Sequence, residues 1–370
     1  MVPFIDLRRF EEGFLDAWNE KIQHLSANAT FIGGQEVQQL EADLSTYVGV
    51  SHAVSCANGT DALQLALRAM GVGEGDVVLI PDMTFWATFE AVVNVGAKVV
   101  TVDVSLEDGG IDIDALQQAI AAYEPKAAIV AHLFGWASAR LNDIRSLCAA
   151  HGVLLLEDGA QCFGVKHEGH SIYQGALIAT TSFYPAKVFG AAGDGGAVFT
   201  NDDALATKVR QLSNHGRTSH YGHGLVGWNS RLDSFQAAFL NLSLPNLDAK
   251  IASRQASASV YRSSLNHPKV IQIFAPENFE ENGYCNVCLV RDKSFKAALE
   301  SHLKANGIGF ANIYPSPMSK QPAAAEFLVG HVGGDNAVEW CASVLNLPLF
   351  PYMNDAELQR VISLVNKFEG

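Results

Sequence analysis

Three features of the 370-residue chain predict an α/β fold with a mainly parallel central sheet flanked by helices, followed by a smaller C-terminal α+β domain. Between residues 52 and 200, short β-branched apolar runs alternate with amphipathic stretches, the pattern of successive strand–helix units. These runs are apolar on both faces, as strands covered by helices on each side must be. After about residue 230 the alternation gives way to a long helical stretch and then to a mixed pattern.

Taken in order, 53–56 (AVSC) reads as a strand, 61–70 as a helix, 76–80 (DVVLI) as a strand, 88–95 as a helix and 99–102 (VVTV) as a strand. The series resumes with a strand at 127–131 (AAIVA), a helix at 142–151, and strands at 153–157 (VLLLE) and 195–200 (GGAVFT). A helical stretch over 233–265, interrupted near Pro245, links a large domain over 1–245 to a small one over 246–370. In the small domain 286–290 reads as a strand and 295–306 as a helix. The segment 337–345 completes its α+β pattern, and 355–367 reads as a closing helix.

Composition narrows the functions available. The formal net charge is −14 and the 25 basic residues are scattered, which argues against a nucleic-acid surface. A small phosphorylated ligand stays open, because backbone N–H groups at a helix start bind phosphate without a basic surface. No apolar run approaches the ~20 residues of a membrane-spanning helix and the first residues lack a signal-peptide core, so a cytoplasmic protein is expected. The six cysteines are dispersed, and Cys285 and Cys288 have no second pair at zinc-site spacing; no metal site is expected.

In parallel sheets ligands collect at the carboxyl ends of strands, and the polar residues of interest fall there. Asn58, Gly59 and Thr60 follow the first strand and open a helix; the N–H groups of Gly59 and Thr60 suit a phosphate, although an ordinary helix cap reads equally well. Phe85, or its neighbour Trp86, offers a face for a planar ring just past a strand end, against the plainer reading of core packing. Asp158 ends a fully apolar strand, where an ionised carboxylate needs a partner or acts only as a cap, and Gln161 adds an amide three residues on.

Lys187 lies in an apolar stretch bounded by Pro185 and by Gly190, Gly193, Gly195 and Gly196, with Ser182 five residues before it. An amine in such surroundings loses basicity and becomes a nucleophile for carbonyl carbons. The glycine density suggests close backbone approach to something bulky. An amine, a buried carboxylate and an amide in this order suit pyridoxal phosphate, whose aldehyde condenses with a lysine while a carboxylate keeps the pyridine nitrogen protonated.

The segments ANGTDAL, EDGAQCFG, SFYPAKVFGAAGDGGAVFTND and WNSRLDSFQAAFL together resemble the DegT/DnrJ/EryC1/StrS family of sugar aminotransferases, from about Phe4 to Asp233 and then more weakly to YPSP and KQPA near 314–323. The resemblance implies a fold type I enzyme that works as a homodimer with shared active sites. By motif match, Lys187 holds the cofactor and shuttles the proton, Asp158 pairs with the pyridine nitrogen and Gln161 with the phenolic oxygen. Phe85 covers the ring, and Gly59, Thr60 and Ser182 hold the phosphate together with Asn229 of a second chain. The donor is L-glutamate and the acceptor a keto group on a nucleotide-linked sugar, for glycan or O-antigen (lipopolysaccharide) biosynthesis.

The pairing of Tyr184-Pro-Ala-Lys187 with Gly193-Asp-Gly-Gly196 is similar to members that act on 3-keto rather than 4-keto sugars. The SCANGTDALQ segment resembles enzymes of UDP-2-acetamido-3-keto-hexuronic acids, with dTDP-3-keto-6-deoxyhexoses as the alternative. Arg231 is then the candidate for a substrate carboxylate and Tyr314 a second substrate contact. Two positions depart from the hexuronate pattern: Ile313 stands where those members have histidine, and Val188-Phe189 follows the lysine in place of Asn-Leu. The rival readings are a 4-keto aminotransferase, a sugar dehydratase, in which histidine replaces the lysine, and a regulatory protein that binds the cofactor without turnover.

Overall fold

The computed structural model describes residues 1–370. Its centre is an eight-stranded sheet in the order His52–Cys56, Gly196–Thr200, Ile178–Ser182, Leu154–Asp158, Ala127–Ala131, Val77–Pro81, Lys98–Val102, Leu328–Val332. Only Gly196–Thr200 runs antiparallel to its neighbours; every other adjacent pair is parallel. Alternate residues of each strand enter different cores, as the period of two requires. Val78 and Ile80 pack under the helices Gly59–Ala69 and Trp86–Asn94, whereas Leu79 packs on the other side against Ile113–Tyr123 and Leu141–Ala150. That double covering is why the strands read as continuous apolar runs.

The helical stretch beyond residue 233 is Ser234–Ser243, a 3₁₀ turn Leu244–Asn246 containing Pro245, and Leu247–Ser264. Leu247–Ser264 leads into a three-stranded antiparallel sheet, Ile271–Ile273, Asn286–Leu289 and Val344–Leu347. Helices Lys293–Ala305 and Asp355–Asn366 pack around the same small core. The chain beyond residue 245 does not stay within this second unit. Leu328–Val332 crosses back and adds a parallel edge strand beside Lys98–Val102 of the large sheet. Its residues are only partly buried and include Gly330, so it lacks the apolar run that marks the central strands.

The expected strands and helices at 53–56, 61–70, 76–80, 88–95, 99–102 and 127–131 all form, displaced by at most two residues at an end. The segment 337–345 divides into helix Asp335–Ser343 and strand Val344–Leu347.

The glycines after Lys187 are explained by the fold itself. A Cβ on Gly196 would lie 2.5 Å from the Asn58 carbonyl oxygen and 2.9 Å from the Gly59 nitrogen, and one on Gly190 would lie 2.6 Å from the Pro185 carbonyl oxygen. The bulky object they approach is the protein's own backbone. Gly196→Ala should therefore destabilise the fold by about 1–3 kcal/mol, the usual cost of overpacking, and displace the turn at Asn58. Urea denaturation would check this; an unchanged midpoint would show that the turn yields freely.

Candidate active site

A cavity of about 370 Å³ opens at the carboxyl ends of the parallel strands. Its floor comes from four separate segments. Asn58 follows His52–Cys56, His132 follows Ala127–Ala131, Asp158 ends Leu154–Asp158, and Ser182 ends Ile178–Ser182. Lys187 enters from the turn after Ser182, where its N–H bonds the Tyr184 carbonyl at 2.8 Å.

At one end, the Asn58 side chain caps helix Gly59–Ala69 by accepting the Asp61 N–H at 2.8 Å. As the first two residues of the helix, Gly59 and Thr60 have no intrahelical acceptor for their N–H groups. The Ser182 hydroxyl oxygen accepts the Tyr184 N–H at 3.2 Å, which leaves its own proton free. A Cβ on Gly59 would lie 2.6 Å from the Ser182 Cβ, so only glycine lets these donors converge. The cap and the anion cradle are thus one structure, with Asn58 as the cap and the next two residues as donors.

At the other end Asp158 is buried. One carboxylate oxygen accepts the Ala160 N–H at 3.1 Å and the other accepts the Thr88 hydroxyl at 3.1 Å, with Thr84 2.8 Å behind Thr88. No cation pairs with it. Burial pushes its carboxyl above the ordinary range, against the opposing pull of the Ala160 N–H and the Lys187 charge. Burial pulls the Lys187 ammonium down, with the Asp158 charge opposing, and its Nζ lies 5.3 Å from the centre of the Tyr284 ring.

Between these ends Gln161 is held by both atoms of its amide. Its Oε1 accepts the Phe134 N–H at 2.7 Å and its Nε2 donates to the Tyr314 hydroxyl at 2.8 Å. One amide hydrogen of Gln161 and the hydroxyl proton of Tyr314 remain uncommitted. Burial raises the Tyr314 phenol well above its ordinary value, so it stays a neutral donor. Phe85 stands at the mouth, 56% exposed, its ring centre 5.9 Å from that of Tyr314. Trp86, the other candidate, stacks on Phe89 in the core at 4.7 Å.

The cavity therefore gathers Gly59, Thr60, Phe85, Asp158, Gln161, Ser182, Lys187 and Tyr314 from the sequence-derived set. Asn229 and Arg231 do not line it. Arg231 bonds the side chains of Asn229 (3.0 Å) and Asn214 (3.3 Å) on another face of the same chain. His215, His220 and His223 are likewise exposed and away from the cavity, and His223 bonds the His215 carbonyl. Sequence reasoning missed a buried group beside Asp158. Glu157 accepts His132 at 3.0 Å and Arg145 at 2.7 and 2.9 Å, and these bonds outweigh burial and hold its carboxyl below the ordinary range. The available signal was a charged residue inside an apolar strand, at Glu157, with Arg145 twelve residues earlier.

The profile of the DegT/DnrJ/EryC1/StrS aminotransferase family matches residues 16–366. The chain belongs to this family. Among its relatives, the UDP-2-acetamido-2-deoxy-3-oxo-D-glucuronate aminotransferase of Pseudomonas aeruginosa is 38% identical over 97% of this chain and 98% of its own. The UDP-N-acetyl-3-dehydro-alpha-D-glucosamine 3-aminotransferase of Acidithiobacillus ferrooxidans is 36% identical over 99% and 97%. A pleiotropic regulatory protein of Geobacillus stearothermophilus is 33% identical over 99% and 98%. The crystal structure of NtdA from Bacillus subtilis with bound cofactor PMP superposes with a TM-score of 0.90 at 27% identity, over 98% of this chain and 84% of that one. In this aminotransferase the four strand ends and the lysine turn line one cavity.

Asp158 gives a stability test. A carboxyl whose folded pKa is raised binds protons more tightly folded than unfolded, so it destabilises the fold increasingly as pH rises above the ordinary carboxylate range. Cofactor-free Asp158→Asn should therefore melt higher than cofactor-free wild type at neutral pH, with the gap closing in acid. Calorimetry across that range would show it; equal melting temperatures at neutral pH would mean that the buried carboxylate carries no penalty.

Proposed function

We propose that this aminotransferase moves an amino group from L-glutamate to the C3 keto group of a nucleotide-linked sugar, using pyridoxal phosphate held in the 370 Å³ cavity. One observation carries the reading: a desolvated amine, a buried carboxylate lacking a cation and a helix start with free N–H donors line one cavity, and these are the groups that the cofactor's aldehyde, pyridine nitrogen and phosphate require. The relatives named for 3-keto sugars support the acceptor. They also favour a UDP-linked 2-acetamido sugar, a hexuronic acid above all, over a dTDP-linked 6-deoxyhexose.

The donor set supports the fit: the Gly59 and Thr60 N–H groups and the Ser182 hydroxyl proton are free, and a Cβ at Gly59 would push Ser182 away from them. Gly59, Thr60 and Ser182 would hold the phosphate, Asp158 the protonated ring nitrogen, Gln161 the phenolic oxygen through its uncommitted amide hydrogen, and Phe85 one ring face. When bound, pyridoxal phosphate supplies an electron sink that acidifies the carbon bearing the transferred nitrogen. Lys187 does the proton work. Freed from the cofactor and kept poorly solvated, its amine accepts a proton as general base and returns it as general acid. Asp158 stays ionised in its pocket once a cation sits beside it, because the charge pair offsets its desolvation. The Tyr314 hydroxyl has one proton to donate toward the acceptor sugar.

Asn229 and Arg231 reach a cavity only from a second copy of the chain, so the working unit is a homodimer in which each protomer completes the other's phosphate and sugar contacts. Arg231 then meets the sugar carboxylate. The product suits glycan assembly of the O-antigen type, and the work is cytoplasmic. A purely regulatory role, which the Geobacillus relative's name raises, is disfavoured because Lys187 and its pocket are intact.

Protein loaded with pyridoxal phosphate should absorb visible light and lose that band on adding L-glutamate, and Lys187→Ala should not respond; a colourless wild type would sink the cofactor assignment. Mixing inactive Lys187→Ala with inactive Asn229→Ala should restore about a quarter of wild-type turnover, since half the dimers are mixed and each mixed dimer has one intact site. No recovery after subunit exchange would rule out the shared site.

A further inference from the structure

The segment 312–319 forms one wall of the cavity and is fastened at both ends. At its start the Ile313 N–H donates to the Asn346 side chain at 2.9 Å, beside a backbone bridge between Ala311 and Asn346. At its far end three bonds run to a single residue. The Asp82 carbonyl accepts the Met318 N–H at 2.7 Å, and the two Asp82 carboxylate oxygens accept the Ser319 N–H at 2.7 Å and the Ser319 hydroxyl at 2.8 Å. Asp82 sits past strand Val77–Pro81, is fully buried and does not line the cavity. Between the two anchors, Ile313 and Tyr314 face the cavity and Tyr314 accepts the Gln161 amide.

Asp82 has no tight counter-ion to explain its place. The nearest basic side chain, the His331 ring, is 3.9 Å away and is bonded to Thr101 at 2.7 Å. Burial pushes the Asp82 carboxyl up, opposed by the two bonds from Ser319. A buried acid is costly unless its hydrogen bonds are met, and here they are met by the strap alone. We propose that Asp82 is a positioning residue that, through Ser319, holds the 312–319 strap so that Tyr314 keeps its free hydroxyl proton aimed at the acceptor sugar. The proposal rests on the aminotransferase reading and adds to it a residue outside the cavity.

Steady-state kinetics of the loaded dimer with a UDP-linked 3-keto sugar tests it, alongside the spectral response to L-glutamate. Ser319→Ala should raise the sugar KM about tenfold with kcat and the glutamate response nearly unchanged. Asp82→Ala should do the same or more, and Asp82→Asn, which keeps an acceptor for the Ser319 N–H, should recover most of the loss. Tyr314→Phe combined with Ser319→Ala should be no worse than Tyr314→Phe alone, because both act through one hydroxyl. An unchanged sugar KM in Ser319→Ala, or fully multiplicative effects in the double variant, overturns the proposal. Should Asp82→Ala fail to fold, Ser319→Ala decides. A wild type that ignores glutamate would instead overturn the aminotransferase reading, which separates the two failures.

Discussion

The buried carboxylate of Asp158 is the constraint from which the rest of the site follows. It ends a strand whose other residues are apolar or committed, with an N–H and a hydroxyl as its hydrogen-bond partners and no cation in contact. An anion kept that way is unfavourable in the cofactor-free chain, and the proposed ring-nitrogen cation would offset that cost. The neighbouring Glu157 shows the contrast. It is also buried, but His132 and Arg145 satisfy it from within, whereas Asp158 has no such partner. Strain of this kind, concentrated in one pocket, is typical of sites in which affinity has been favoured over the stability of the empty protein.

The sheet fixes where the other groups lie relative to Asp158. Adjacent parallel strands end at one edge, so Asn58, His132, Asp158 and Ser182 arrive there from four places in the sequence without any loop having to reach. The glycines at 59 and 196 allow the turn at Asn58 to pack closely against Ser182 and strand Gly196–Thr200, which brings the helix-start donors beside the Ser182 hydroxyl. Lys187 follows five residues after Ser182, which brings its amine into the same cavity as the carboxylate, near enough for each charge to act on the other.

Much of this was readable in the sequence because it is local. Asn58 to Thr60, Asp158 to Gln161 and Ser182 to Lys187 are each a strand end with its following turn, so hydrophobic period and turn chemistry place them together. What the sequence concealed is non-local. The edge strand Leu328–Val332 is short, half-exposed and broken by Gly330, and only its pairing with Lys98–Val102 across more than two hundred residues makes it a strand. The threonine-rich Ile178–Ser182 carries no apolar run, yet lies buried between two partners. Gln161 was legible as an amide, but its bond to Tyr314 joins residues 153 positions apart. The Asp82–Ser319 contact was invisible for the same reason. Asn229 and Arg231 stand apart from these cases: in this chain they lie outside the cavity, with Arg231 bonded to Asn229 and Asn214, and the role proposed for them needs a second chain.

The central claim is that Asp158 keeps a ring nitrogen protonated. Nitrogen-15 NMR of protein loaded with pyridoxal phosphate labelled at the pyridine nitrogen reads that proton directly. The account predicts a protonated nitrogen at neutral pH in the wild type and an unprotonated one in Asp158→Asn. An unprotonated nitrogen in the wild type, or an identical signal in the two proteins, would contradict it.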